Sequence, residues 1–111
     1  MIQLIHTKYN DGFIYNYLET KVKDMIDKND IVMTSKHNLN TKQLQYIVPE
    51  HPSDPIDIEI NQSKINIQLP LLKSPYSFKT NFIVTKEKPY ILLDVLKFLD
   101  NHFNYYRECY L

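Results

Sequence analysis

Apolar and polar residues alternate without interruption from Ile56 to Leu69, on both sides of a short polar turn around Asn61-Gln62-Ser63. Period-two alternation flanking such a turn predicts a β-hairpin. If Ile60 lies opposite Ile65, then Ile58 falls opposite Ile67 and Ile56 opposite Leu69, so one register puts all the branched side chains on one face. Asp57, Glu59, Asn66 and Gln68 occupy the other. A slip of one residue would expose the whole apolar set, at roughly 1.5–3 kcal/mol per side chain, so the register is strongly specified.

Outside the hairpin the pattern changes period twice. Residues 1–8 read as a strand, and Asn10-Asp11-Gly12 as a turn. Phe13 to Tyr17 suits the return strand of a hairpin or the start of a helix. Ile14, Leu18, Val22, Met25 and Ile26 recur at helical spacing, with Asn10 or Asp11 available as N-cap, which favours a helix over about 13–28. Ile31 to Thr34 is expected as a short strand, 37–40 as a loop, and 42–48 as a strand with Leu44, Tyr46 and Val48 on one face. Pro49, Pro52 and Pro55 predict an irregular connector. From Tyr76 to Thr85 a further strand is expected, with a bulge or twist near Phe82 where Ile83 and Val84 break the alternation. The last segment, opened by Pro89, carries Leu92, Val95, Leu96, Leu99, Phe103, Tyr106 and Tyr110 at steps of three and four and predicts a helix. Ile91, Phe98, His102 and Tyr105 widen its apolar face beyond what one sheet contact needs, which points to packing against the first helix or against another chain.

The predicted fold class is therefore α+β: an antiparallel meander of four to six strands with an N-terminal and a C-terminal helix packed on the sheet. At 111 residues, one domain with a core of its own is expected over 1–111. No stretch is apolar for long enough to cross a bilayer, and Met1 to His6 lacks the basic start of a signal peptide, so an intracellular, cytoplasmic protein with no membrane partner is expected. The one cysteine, Cys109, excludes an internal disulfide framework and reads as a peripheral packing residue. Alanine and tryptophan are missing, Gly12 and Arg107 are the sole residues of their types, and Ile, Lys, Asn and Tyr dominate. Their AT-rich codons suggest an AT-rich genome, that of a large DNA virus, a protist or an AT-rich bacterium; for a viral source the compartment is a host cell's cytoplasm.

Chemistry is sparse. Asp57 and Glu59 stand two apart on one strand face, as metal-holding carboxylates do in nucleases, but Asn61 occupies the place where such a site needs lysine. A small metal-dependent hydrolase or nuclease is accordingly a distant third reading. His6, His37, His51 and His102 have no metal spacing, and no cofactor is expected. Cys109 and His102 share a helix face but lie about 10 Å apart along it, too far for proton transfer. With one glycine in the chain, a glycine-rich phosphate loop is excluded.

The order helix, antiparallel meander, proline-rich connector, helix is similar to that of RWD domains and the ubiquitin-conjugating fold. Ser74-Pro75-Tyr76-Ser77-Phe78-Lys79 resembles the Tyr-Pro-Phe strand opening of that group, and His51-Pro52 part of its active-site tripeptide. Ser53 stands where the tripeptide has asparagine, the pair precedes the hairpin, and no cysteine follows within reach. The resemblance implies at most an inactive, partner-binding relative.

A formal net charge of zero argues against gripping a nucleic-acid backbone as the main task. The leading expectation is a non-enzymatic interaction or structural accessory module that binds a protein partner or itself as a homodimer. Phe98, His102, Phe103, Tyr105, Tyr106 and Tyr110 form its candidate interface. The alternative is a single-stranded nucleic-acid binder using Lys73, Lys79, Lys86 and Lys88 with Tyr76, Phe78 and Phe82 as stacking platforms.

Overall fold

The computed structural model describes residues 10–49, 51–71, 76–85 and 87–110. Their order is helix α1 (Asp11–Lys28), strands β1 (Thr34–Asn38), β2 (Gln43–Val48), β3 (His51–Asn61), β4 (Lys64–Pro70) and β5 (Ser77–Ile83), and helix α2 (Ile91–Tyr110). The strands form an antiparallel sheet in the order β1-β2-β3-β4-β5, a plain meander. This is the α+β architecture that the periodicity predicts. The strand expected over residues 1–8 lies outside the described residues.

The central hairpin has the predicted register: Ile60 pairs with Ile65 and Ile58 with Ile67. Gln62 and Ser63 have φ of 50° and 63°, the two positive angles of the two-residue turn whose twist matches that of the flanking strands. Asp11, in the first turn of α1, accepts the amide hydrogens of both turn residues, Gln62 N at 2.9 Å and Ser63 N at 2.7 Å. One carboxylate thus ties the start of the first helix to the tip of the hairpin.

Asn10 caps α1 by accepting from Phe13 N at 2.9 Å, which settles residues 13–18 as helix. At the other end Asp30, at φ 53°, reverses the chain, and Ile31 N donates back to Ile26 O at 3.2 Å. That helix-closing bond uses the amide of Ile31, so β1 begins at Thr34 and the strand expected over 31–34 is displaced towards the C-terminus. His37 and Asn38, expected in a loop, belong to β1. Asn38 Oδ1 accepts from Asn40 N and Thr41 N, and the reversal falls at residues 39–42.

The prolines of the 49–55 segment do not prevent regular structure: β3 begins at His51 and carries Pro52 and Pro55 within it. Proline's fixed φ suits extended backbone wherever its missing donor is not required. The β3–β4 ladder starts only at Asp57 with Gln68, and the β2–β3 register shifts between Tyr46 and Val48, so the irregularity sits here. The bulge expected near Phe82 is not found. β5 pairs with β4 in one register from Ser77 opposite Pro70 to Ile83 opposite Lys64. Ile83 breaks the apolar alternation because it lies on the other face, where it is 57% exposed.

Both helices cover one face of the sheet. α1 packs on β2 and β3, α2 on β5, and the helices lie against each other. Between the layers are Ile14, Leu18 and Val22 of α1, Leu44 of β2, the isoleucines of β3, the Ile and Leu side chains of β4, and Val95, Leu99 and Phe103 of α2, all buried. Pro89 falls in the turn preceding α2, with Leu93 N donating to Tyr90 O at 2.9 Å. No helix among the described residues is long and apolar enough to cross a membrane.

Candidate functional site

The β5 edge

The candidate interface divides on burial. Phe103 and Tyr106 are core residues, fully buried in the chain, and cannot present a surface to a partner. That corrects the expectation from helical spacing, which shows an apolar face but not which part the sheet consumes. Phe98, His102 and Tyr105 flank the buried stripe on the same helix; Tyr105 is 51% exposed. The side chain of Tyr110 lies outside the described residues.

Phe98 does not stand alone. Its ring lies 5.7 Å from that of Phe82 and 6.1 Å from that of Phe78, both on β5, in tilted arrangements that aromatic pairs favour. Phe78 is 45% exposed. Two of the proposed stacking residues and one of the proposed interface residues are therefore one cluster, at the end of the sheet that β5 forms.

Hydrogen bonding gives this end its second property. Val84 N donates to Ser63 O and Leu71 N to Tyr76 O, each at 2.9 Å. Both belong to the β4–β5 register, so the even-numbered residues 76 to 84 exchange bonds with β4. The backbone groups of Ser77, Lys79, Asn81 and Ile83 point outward, and among the described residues no strand pairs with them.

His102 lies one helical turn beyond Phe98 and edge-on to Phe103. Its Nε2 is buried with no hydrogen-bond partner among the described residues. Burial pushes its pKa down to about 4, so the ring is neutral at physiological pH.

The open face and the opposite edge

Lys79 is on the face of the sheet away from the helices, opposite the side that carries Phe78 and Phe82. It lines a shallow depression with Asp57, Glu59, Asn66, Gln68 and Asn81, where Gln43 Nε2 donates to Asp57 Oδ1 at 3.0 Å. The amide-rich surface carries two carboxylates at its centre. The lysine and the rings of the nucleic-acid reading are thus separated by the sheet. Tyr76 and Lys88 are exposed, at opposite ends of β5, and Lys73 and Lys86 lie outside the described residues.

At the β1 edge the fold assembles four side chains that sequence spacing does not connect. Tyr15 lies beside Glu19, whose Oε2 stands 3.9 Å from Nε2 of His37, and the His37 ring meets Tyr46 edge-on at 5.3 Å. Burial, then Glu19, raises the Tyr15 phenol, and burial, then Glu19 and Tyr15, raises that of Tyr46. Both phenols stay protonated, and the Tyr46 hydroxyl is buried with no hydrogen-bond partner among the described residues. Among the described residues no three His, Cys, Asp or Glu side chains are placed to hold a metal ion. Only the pairing of β1 with β2 and the packing of α1 on the sheet bring these four together, so no local motif announces them.

Compared with family models, with curated proteins and with solved structures, the chain matches none.

Proposed function

We propose that this protein is a non-enzymatic interaction module whose contact element is β5, to which a partner protein adds a strand. The observation that carries the reading is the coincidence, at one sheet edge, of outward backbone groups at Ser77, Lys79, Asn81 and Ile83 with the Phe78–Phe82–Phe98 cluster. Strand addition draws affinity from main-chain hydrogen bonds and selectivity from alternate side chains, and β5 offers both.

Amide exchange resolved by residue tests it. In the monomeric chain, Phe78, Thr80 and Phe82 are expected to exchange slowly because they bond to β4, whereas Lys79, Asn81 and Ile83 exchange fast. A bound partner is expected to slow the second set. Unchanged exchange at those three positions in a complex of established stoichiometry would remove the reading. Steeply salt-dependent oligonucleotide binding by the same preparation would favour the nucleic-acid alternative, because phosphate contact releases counterions.

A further inference from the structure

We infer that the strand which β5 accepts is the β5 of a second copy, in a twofold dimer with Thr80 on the axis. This rests on the reading of β5 as the contact strand, and goes further by fixing partner and register.

The argument is the symmetry of the strand itself. In Phe78-Lys79-Thr80-Asn81-Phe82 the order of aromatic and polar positions is the same in both directions about Thr80. An antiparallel pair centred on Thr80 sets each Phe78 opposite the partner's Phe82, each Lys79 opposite the partner's Asn81, and Thr80 opposite itself. No charge meets a like charge directly across the junction. Aromatic pairs and Thr–Thr pairs are favourable cross-strand neighbours.

The hydrogen-bond phase agrees with that register. Because Phe78, Thr80 and Phe82 bond inward to β4, they occupy non-bonded positions at the junction, where facing Cα atoms come within ~4.5 Å and side chains are closest. Lys79 and Asn81 then exchange bonds across the axis with the groups that point outward. A junction centred on Lys79 or Asn81 loses the Phe78–Phe82 pairing.

The helix layer continues the contact. Phe98 packs on both β5 rings, and His102 and Tyr105 follow it at steps of four and three on the same helix face. The axis brings this stripe of each copy towards its counterpart, joining six phenylalanine rings. A strand edge alone falls short of the roughly 800 Å² per partner usual in specific interfaces, and the stripe adds to it. Twofold pairing consumes the β5 edges and closes the assembly.

The test is light scattering behind size exclusion on the wild-type chain, followed by mild oxidation of Thr80→Cys in a Cys109→Ser background. The expected result is a wild-type mass of two chains, insensitive to salt, and near-complete conversion of Thr80→Cys to a covalent dimer, because facing non-bonded positions match disulfide geometry. Ser77→Cys, whose counterpart in this register is Ile83, is expected to stay uncrosslinked. Circular dichroism verifies that each variant is folded. A wild-type dimer in which folded Thr80→Cys fails to crosslink, or in which Ser77→Cys crosslinks instead, overturns the register and leaves the interaction module standing. A monomer up to millimolar concentration overturns self-pairing; if its Lys79, Asn81 and Ile83 amides still become protected with another protein, the strand-accepting reading survives.

Discussion

The two edges of this sheet are built in opposite ways. β1 has five residues, Thr-Ser-Lys-His-Asn, all exposed and none apolar, and it directs only Ser35 and His37 outward. His37 is engaged by Glu19 and Tyr46. β5 has seven residues, two of them phenylalanine, with Ile83 exposed on its far face. Short, polar edges protect sheets from unwanted pairing, and a longer apolar edge invites it. Within one meander, then, the first strand is finished for solvent and the last is not. The contrast is what makes β5, and not sheet edges in general, the candidate contact.

The largest expected effect sharpens the contrast at the β5 end through pH. His102 is held neutral with its pKa down to about 4, against about 6.5 in the unfolded chain. Between those values the unfolded chain takes up a proton that the folded chain refuses. Stability is therefore full above pH 6.5 and falls as pH drops towards 4, by on the order of 3 kcal/mol. Urea unfolding across that window is expected to show the loss, and His102→Leu to remove most of it.

Phe98→Ala is next. It deletes the ring that joins α2 to both phenylalanines of β5, and for a half-buried phenylalanine about 2 kcal/mol is expected. His37→Ala, the matching change at the β1 end, is expected to cost about 1 kcal/mol, since its partners are one edge-on ring and a half-exposed carboxylate 3.9 Å away. Equal costs in denaturant titrations would break the comparison.

Asp11→Ala removes the acceptor for two amides at the hairpin tip between these edges, and about 1.5 kcal/mol is expected from chemical denaturation. Ile83→Lys, on the exposed face of β5, is expected to change stability by less than about 0.5 kcal/mol. Light scattering is expected to show weaker self-association for it, while Lys36→Glu, at an exposed position of β1, leaves association unchanged.

The hairpin register and the closing helix are legible because each depends on local period: alternation to Leu69, steps of three and four from Leu92. Local signals mislead where a backbone donor is already committed or not required. Ile31 reads as strand until its amide closes α1, and Pro52 and Pro55 read as loop until β3 runs through positions that ask no hydrogen bond of them. The site shows the same division. Phe98 and Tyr105 are recognisable as surplus apolar surface, yet the spacing that finds them equally selects Phe103 and Tyr106, which the core takes.

What the sequence determined by itself is the element order, the face of each strand that turns inward, and the near-palindrome around Thr80. These follow from side-chain period and identity, which need no partner element. Only the tertiary structure decided that Lys79 and the phenylalanines of β5 lie on opposite faces of a one-side-covered sheet, that Phe98 meets β5 and not β1, and that Tyr15, Glu19, His37 and Tyr46 come together at the far edge. Those outcomes depend on which strand ends the sheet and on where each helix rests, and burial, which is shared among all the elements, sets both.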